Sequence, residues 1–105
     1  MGTVSAVPSM DIEEADTIPF VFDPELPVSV TILSAAVTID MRQGNEASPS
    51  NFAVGLPQIS SGNRQVLQKL DARNVTPGRY AVRCVASRSD GLRSVGVALV
   101  TVERL

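Results

Sequence analysis

The stretch TPGRYAVRCVASRSDGLRSVGVALVTV, residues 76–102, decides the fold class of this chain. After a Pro-Gly turn, the sequence alternates between two sets of side chains, one of which is Tyr80, Val82, Cys84 and Ala86. A period of two is typical of a β-strand with one buried face. Asp90-Gly91 predicts a hairpin turn of the primed type, and residues 94–105 alternate again. The stretch therefore predicts an antiparallel hairpin.

Further strands are predicted outward from this hairpin, at 17–23, 28–41, 51–59 and 64–72. The loops between them contain Pro, Gly, Ser and Asn, which are common in turns. In segment 28–41 the apolar residues change parity after Leu33. Because one strand cannot keep a single buried face through that change, we expect a bulge or bend near 33–36, or two strands. A helix is the competing interpretation, and the many Val and Ile residues favour the strand.

The chain length limits the domain count. With 105 residues and 44% apolar side chains, the chain can form one hydrophobic core. Only four residues are aromatic, so we expect a core built mainly from Val, Leu, Ile and Ala. The predicted fold class is all-β, an immunoglobulin-like antiparallel β-sandwich of about seven strands over residues 17–105. Residues 1–16 are predicted to be a flexible acidic N-terminal arm.

The charges are unevenly distributed along the chain. Residues 1–41 contain seven acidic side chains and no basic one, whereas residues 42–105 contain nine basic and four acidic ones. A solvated tail explains the acidic segment simply, and docking of the arm onto a basic face of a neighbouring copy is the alternative. An acidic arm and scarce aromatics argue against a nucleic-acid partner. No apolar run is long enough to predict a spanning helix, so no membrane partner is expected.

Catalytic and metal-binding patterns are not found in the sequence. Without His, a Ser or Cys nucleophile lacks its usual base, and Cys84 in an alternating strand is expected to be a buried thiol. DIEEAD, residues 11–16, lacks the Gly and the ligand spacing of a calcium loop, so a solvated charge run is the better interpretation. We therefore expect no enzymatic activity, no catalytic residue, no cofactor and no metal.

Pro77, Gly78 and Tyr80 are predicted to form a structural corner. Pro77 fixes its own φ, and Gly78 permits a left-handed conformation. A Tyr near the start of the penultimate strand of a sandwich often hydrogen-bonds back to the preceding loop. We expect such a bond to lock the corner between strand 64–72 and strand 79–88.

The segment PGRYAVRCVASRSDG, residues 77–91, resembles the last hairpin of bacterial immunoglobulin-like modules. The chain is also similar to small virion proteins of tailed bacteriophages, which share an early F-x-F-D strand, a Gly-x-Tyr strand and a late S-x-G-R-like hairpin. The matching segments here are 20–23 with Leu26, 78–80 and 89–93. The chain departs from these proteins because it lacks their aromatic-rich middle and has Leu92 before the Arg.

The phage resemblance implies a non-enzymatic virion structural protein, assembled in the host cytoplasm. The expected role is a multi-copy adaptor in the tail or tail-fibre attachment region, joined to copies of itself and to other virion proteins through its arm and sheet edges. The alternatives are a capsid decoration or cement protein, and a cellular ligand-binding immunoglobulin-like module. The expected partner contacts are Asp11, Glu13, Glu14 and Asp16 on the arm, with Arg83, Arg88 and Arg93 on the basic face and hairpin.

Overall fold

The computed structural model describes residues 2–5, 9–60 and 62–105. In these ranges there are eight strands and three short 3₁₀ helices. The strands are β1 (Gly2–Ser5), β2 (Ser9–Asp11), β3 (Ala15–Val21), β4 (Ile32–Gly44), β5 (Ala53–Ile59), β6 (Gln65–Asp71), β7 (Gly78–Arg88) and β8 (Arg93–Glu103). The 3₁₀ helices are Asp23–Glu25, Pro49–Phe52 and Ala72–Asn74. Within the described ranges, no helix has the length and apolar character needed to cross a bilayer.

The strands form two sheets that pack face to face, so the predicted all-β sandwich is confirmed. The larger sheet has the order β1-β8-β7-β4, with β2 also on β8, and the smaller sheet has the order β3-β6-β5. Strands β4, β7 and β8 pair antiparallel, as do β3, β6 and β5. Strands β1 and β2 run parallel to β8.

This strand order is that of an immunoglobulin-like sandwich. When β1 and β2 are counted together as the first strand, the smaller sheet contains the second, fifth and fourth strands. The larger sheet then contains the third, sixth and seventh strands, as in immunoglobulin constant domains. The difference lies in the first strand, which pairs with the last strand, β8, and leaves the second edge of β3 unpaired within the described residues.

The core is built mainly from Val, Leu, Ile and Ala, as expected, and all four aromatic side chains also lie in it. Phe20, Phe22, Phe52 and Tyr80 are buried, and the rings of Phe52 and Tyr80 lie 5.0 Å apart. Gly96 on β8 faces Phe20 and Phe22, and a Cβ at this position would lie 3.1 Å from the Phe20 ring. The glycine therefore lets the two rings approach the β8 backbone.

Strand β4 begins later than the sequence predicts. Residues 28–31 form a turn and its exit, and the strand starts at Ile32. The register of β4 against β7 shifts between Ile32 and Ser34, which confirms a bulge close to the expected site. A second shift, between Met41 and Gln43, was not predicted.

Two predicted turn conformations are wrong. Gly78 does not have a positive φ. Glycine is nevertheless required at position 78, because a Cβ there would collide with the carbonyl oxygen of Gln43 on β4. In the β7–β8 hairpin only Gly91 has a positive φ, of 84°, whereas a primed type I turn also needs one at Asp90. The bond from Gly91 N–H to the Arg88 carbonyl fits a type I turn followed by a left-handed glycine.

The structure differs from the predicted boundary between the arm and the sandwich at residue 16. Strands β1 and β2 pair with β8, and β3 already begins at Ala15. Met10 is buried in the core. The described part of segment 1–16 therefore belongs to the sandwich, because its backbone completes the edge of β8; residues 1 and 6–8 lie outside the described residues.

Candidate interaction surfaces

Two of the four predicted arm contacts, Asp11 and Glu14, are half-buried and bond within the chain. The Asp11 carboxylate accepts hydrogen bonds from the backbone N–H of Leu105 at 2.9 Å and of Glu13 at 3.0 Å. The Leu105 bond, with that of Glu13, lowers the pKa of Asp11. Glu14 accepts from the Asp11 N–H at 3.1 Å. These two carboxylates therefore fix the turn between β2 and β3.

The other two predicted arm contacts face solvent. Glu13 is exposed, and Asp16 is exposed at the start of β3, where it accepts from the Thr17 N–H at 2.7 Å. Only Glu13 and Asp16 of the four therefore present largely exposed carboxylates to a neighbour.

The three predicted basic contacts do not form one patch. Arg83 is exposed in the middle of β7, opposite Val97 of β8. Arg88 is turned inward: it forms an ion pair with Asp90 at 2.7 Å and contacts the Ser94 hydroxyl at 3.4 Å. Arg93 is exposed at the start of β8. Arg88 is therefore part of the hairpin structure, and only Arg83 and Arg93 are open to a partner.

The predicted corner bond is present. The Tyr80 hydroxyl donates to the Thr76 carbonyl, and burial raises the pKa of that hydroxyl. The Thr76 N–H in turn donates to the Glu46 carboxylate at 2.8 Å. Both the N–H and the C=O of Thr76 therefore form hydrogen bonds. The bond to Glu46 links the loop between β6 and β7 to the loop after β4. Pro77 is exposed beside this bond.

Cys84 is a core residue. Its thiol is buried on β7, and burial raises its pKa to about 11. A thiol with that pKa is protonated at neutral pH and is a poor nucleophile. Within the described ranges, no three Asp, Glu, His or Cys side chains converge as a metal site would require.

The sheet edges differ in how they are protected. Strand β5 carries Gly55 and Pro57, and its register against β6 breaks between Val54 and Gln58. The buried Gln68 amide donates to the carbonyls of Val54 and Gly55, at 3.4 and 3.3 Å. The register break bends β5, and the Gln68 amide satisfies two carbonyl groups at this break.

Strand β3 carries Asp16 and Pro19, which also disfavour pairing with another strand. Strand β4 lacks such protection in its centre. Residues 34–41 pair regularly with β7, contain no proline, and include a single charged side chain, Asp40. Within the described residues, no strand pairs with the outer edge of β4.

The loops that precede β4, β6 and β8 meet at one end of the sandwich. The Ser89 N–H donates to the Thr31 carbonyl at 2.8 Å, and the Ile32 N–H donates to the Asn63 carbonyl at 2.8 Å. Three apolar side chains are exposed in or beside these loops: Val28 at 100%, Leu33 at 65% and Leu92 at 60% of their surface. We call this region the loop end.

Arg64 organises the loop end, and no local sequence pattern predicts this role. Its guanidinium donates to the carbonyls of Asp23, Leu26, Pro27 and Val30, at 2.8–3.1 Å, and pairs with the Asp23 carboxylate. These partners lie 34 to 41 residues earlier in the chain. Only knowledge of the β3–β6 pairing brings Arg64 close to that loop.

Arg42 and Arg79 were also missed. Both are exposed and line a cavity on the outer face of the larger sheet, together with Leu99 and Thr101. Arg79 belongs to the same alternating set as Arg83, which is a signal that the sequence did contain. Arg42 was missed because the predicted strand 28–41 ends one residue before it, whereas β4 extends to Gly44.

No protein-family model matches this sequence, and no curated protein is significantly similar to it.

Proposed function

We propose that this chain is a non-enzymatic structural protein of a bacteriophage virion, a multi-copy adaptor in the tail or tail-fibre attachment region. The observation that supports the assembly role is the open edge of β4. The virion setting is supported by the sequence resemblance of segments 20–26 and 78–93.

The edge of β4 suits pairing with a strand of another molecule. A regular, unpaired edge presents a row of N–H and C=O groups that another strand can satisfy. Over residues 34–41 neither proline nor a bulge interrupts this row. The edges of β3 and β5 carry proline and either a charge or a bulge. The remaining edge consists of two short strands, β1 with four residues and β2 with three, so it offers no long continuous row. Copies or partner proteins therefore join preferentially at β4.

The proposal also includes contacts through the N-terminal segment, with two of the four predicted carboxylates. Glu13 and Asp16 are exposed, whereas Asp11 and Glu14 are half-buried and bond within the chain. Of the three predicted basic contacts, Arg83 and Arg93 are exposed and available to them on a neighbouring copy. Such pairs orient the contact and add little affinity, because solvent screens exposed ion pairs.

Charge introduced at the β4 edge tests the assembly role. Ala36 and Thr38 are exposed on β4, so the double change Ala36→Lys and Thr38→Lys should leave the fold intact. The matched control is Thr17→Lys, on the exposed face of β3. Mass measurement in solution should show oligomers of the parent chain and of the control, and monomers of the β4 variant. Equal oligomers for all three would overturn assembly through β4.

The virion setting is tested separately by the genes that flank this one. Neighbouring genes for tail or fibre proteins support the adaptor role, and genes for capsid proteins support the decoration alternative. A location among genes for cell metabolism or cell-surface proteins would contradict both.

The loop end favours a second candidate, a cellular ligand-binding immunoglobulin-like module. In variable immunoglobulin domains the loops at one end of the sandwich form the binding site. Here Val28, Leu33 and Leu92 expose apolar surface at such an end. If Val28→Ser and Leu92→Ser abolished partner binding while the β4 variant retained it, this candidate would replace the first.

A further inference from the structure

Four side chains with hydrogen-bond donors lie in a row across the outer face of the larger sheet. Thr101 on β8 is opposite Arg79 on β7 and opposite Ser9 on β2. Arg42 on β4 lies beside Arg79, at the register shift between Met41 and Gln43. Two guanidinium groups and two hydroxyl groups thus adjoin on one face.

Arg42 lies in this row because it follows Asp40 on the outer face of β4, where alternate residues share a face. Met41 pairs with Tyr80 and Gln43 pairs with Arg79, so Arg42 bulges out of the ladder beside Arg79 and has no partner of its own there. Arg42 and Arg79 line one cavity.

The cavity is small and has an apolar part. Its volume is about 120 Å³, and Leu99 lines it beside Arg42, Arg79 and Thr101. Pockets for drug-sized ligands have volumes of about 300–1,000 Å³. The volume therefore suits a carboxylate with a short methylene stem, and a nucleotide or sugar ring would not fit.

The two guanidinium groups lack anionic partners within the described residues. Arg42 and Arg79 form neither an ion pair nor a hydrogen bond there, whereas Arg64, Arg73 and Arg88 each pair with an aspartate. Like charges on adjacent strands repel each other, and an anion between them would remove that cost.

The neighbouring charges restrict the type of anion. Asp40 lies on the same face, opposite Ala81, and the exposed Glu103 follows Thr101 on β8. Arg83 lies further along β7 on the same face. A polyanion such as a nucleic acid would be repelled by the two carboxylates, and all four aromatic side chains are buried and unable to stack on bases. A single carboxylate meets the two arginines with less of that repulsion, because it carries one charge.

We propose that this cavity binds one carboxylate of an acidic peptide segment on a protein partner, clamped between Arg42 and Arg79 with Thr101 as an additional donor. This inference goes beyond the proposed virion role and does not depend on pairing at the β4 edge. Arginine suits the task because its planar fork of donors matches a carboxylate.

NMR titration of the intact chain tests this proposal. The probes are a capped tripeptide with a central glutamate, an alanine tripeptide with a free C-terminal carboxylate, and inorganic phosphate. The glutamate peptide should shift the side-chain N–H signals of Arg42 and Arg79 and the amide signal of Thr101, with saturation in the millimolar range. The C-terminal probe shows whether a chain end serves as well as a side chain.

Variants give the matched control. Arg42→Gln and Arg79→Gln should each lower the affinity for the glutamate peptide by about tenfold, because each removes a charge-assisted hydrogen bond. Arg83→Gln, an exposed arginine on the same face, should change binding by less than about twofold. Absence of shifts, equal loss in Arg83→Gln, or tighter binding of phosphate than of both peptides would overturn the proposal.

Discussion

The two ends of the sandwich stabilise their loops with opposite chemistry. At the loop end a single cation, Arg64, donates hydrogen bonds to four backbone carbonyls of the loop between β3 and β4. At the other end, which we call the corner end, the Glu46 carboxylate accepts from two backbone N–H groups and the Tyr80 hydroxyl satisfies a carbonyl. In irregular backbone, both N–H and C=O groups need hydrogen-bond partners outside a regular ladder. At the loop end a side chain satisfies C=O groups, and at the corner end side chains satisfy two N–H groups and one C=O group.

The two ends are therefore expected to respond differently to pH. A guanidinium group keeps its charge throughout the accessible pH range. The N–H groups of Ser48 and Thr76 hold the pKa of Glu46 below its ordinary value, so that interaction is lost in acid. At the loop end one side chain, Arg64, makes these hydrogen bonds, whereas at the corner end Glu46 and Tyr80 share them.

The largest effect is expected from Arg64→Met, which keeps an apolar stem and removes every donor. Several loop carbonyls then lose their partners, and we expect the free energy of unfolding to fall by about 3 kcal/mol. Urea denaturation measures this change. Arg73→Met is the control, because Arg73 is exposed and pairs only with Asp71. Comparable losses in the two variants would contradict the special role of Arg64.

Tyr80→Phe should have a smaller effect, a loss of about 1–2 kcal/mol in the free energy of unfolding. The change keeps the ring against Phe52 and removes only the bond to the Thr76 carbonyl. Thr76→Ala is the control, since it retains the backbone carbonyl that accepts this bond. A variant as stable as the parent chain would show that the corner bond does not stabilise the fold.

Glu46→Gln should show that the stability of the corner end depends on pH. Because the folded pKa of Glu46 is lowered from 4.5, its stabilisation is complete above pH 4.5 and is lost as the pH falls through the lower folded value. The difference in Tm between the parent chain and Glu46→Gln should therefore shrink in acid. The difference caused by Arg64→Met should change less over the same range. A constant difference for Glu46→Gln would refute the assignment.

The smallest effect is expected from Asp11→Asn, at the exposed turn after β2. The carboxylate that accepts from the Leu105 N–H becomes a weaker, neutral acceptor. Global stability should scarcely change, and the amide proton of Leu105 should exchange faster with solvent. Unchanged exchange at Leu105, with exchange in the core of β7 as the reference, would contradict this contact.

The strands that have one buried and one exposed face could be predicted from the sequence. In β6 the buried set is Val66, Gln68 and Leu70, and on β7 the predicted set Tyr80, Val82, Cys84 and Ala86 is buried. On β8 the period of two is present, but both faces carry apolar residues, so polarity did not indicate which face is buried. Tyr80 and its corner could also be predicted, because the tyrosine and its acceptor lie only four residues apart. Local patterns were sufficient where both partners of an interaction lie close in sequence.

Features that depend on distant segments could not be predicted. Strands β1 and β2 form on β8, more than 90 residues away, and β2 contributes a single buried side chain, Met10, so no period reveals it. Strand β4 starts late because the preceding loop hydrogen-bonds to the distant Arg64. The cavity lined by Arg42 and Arg79 requires the pairing of β4 with β7, which joins segments that are distant in sequence.

The parallel pairing of β1 and β2 with β8 also has a mechanical consequence. Gly2 lies opposite Val95 and Asp11 lies opposite Glu103, so the first and last strands run side by side in the same direction. Tension applied between the beginning of β1 and the end of β8 acts along both strands in opposite senses. The hydrogen bonds between them are then loaded in shear and share the force, whereas an antiparallel hairpin pulled at its open end would unzip one bond at a time.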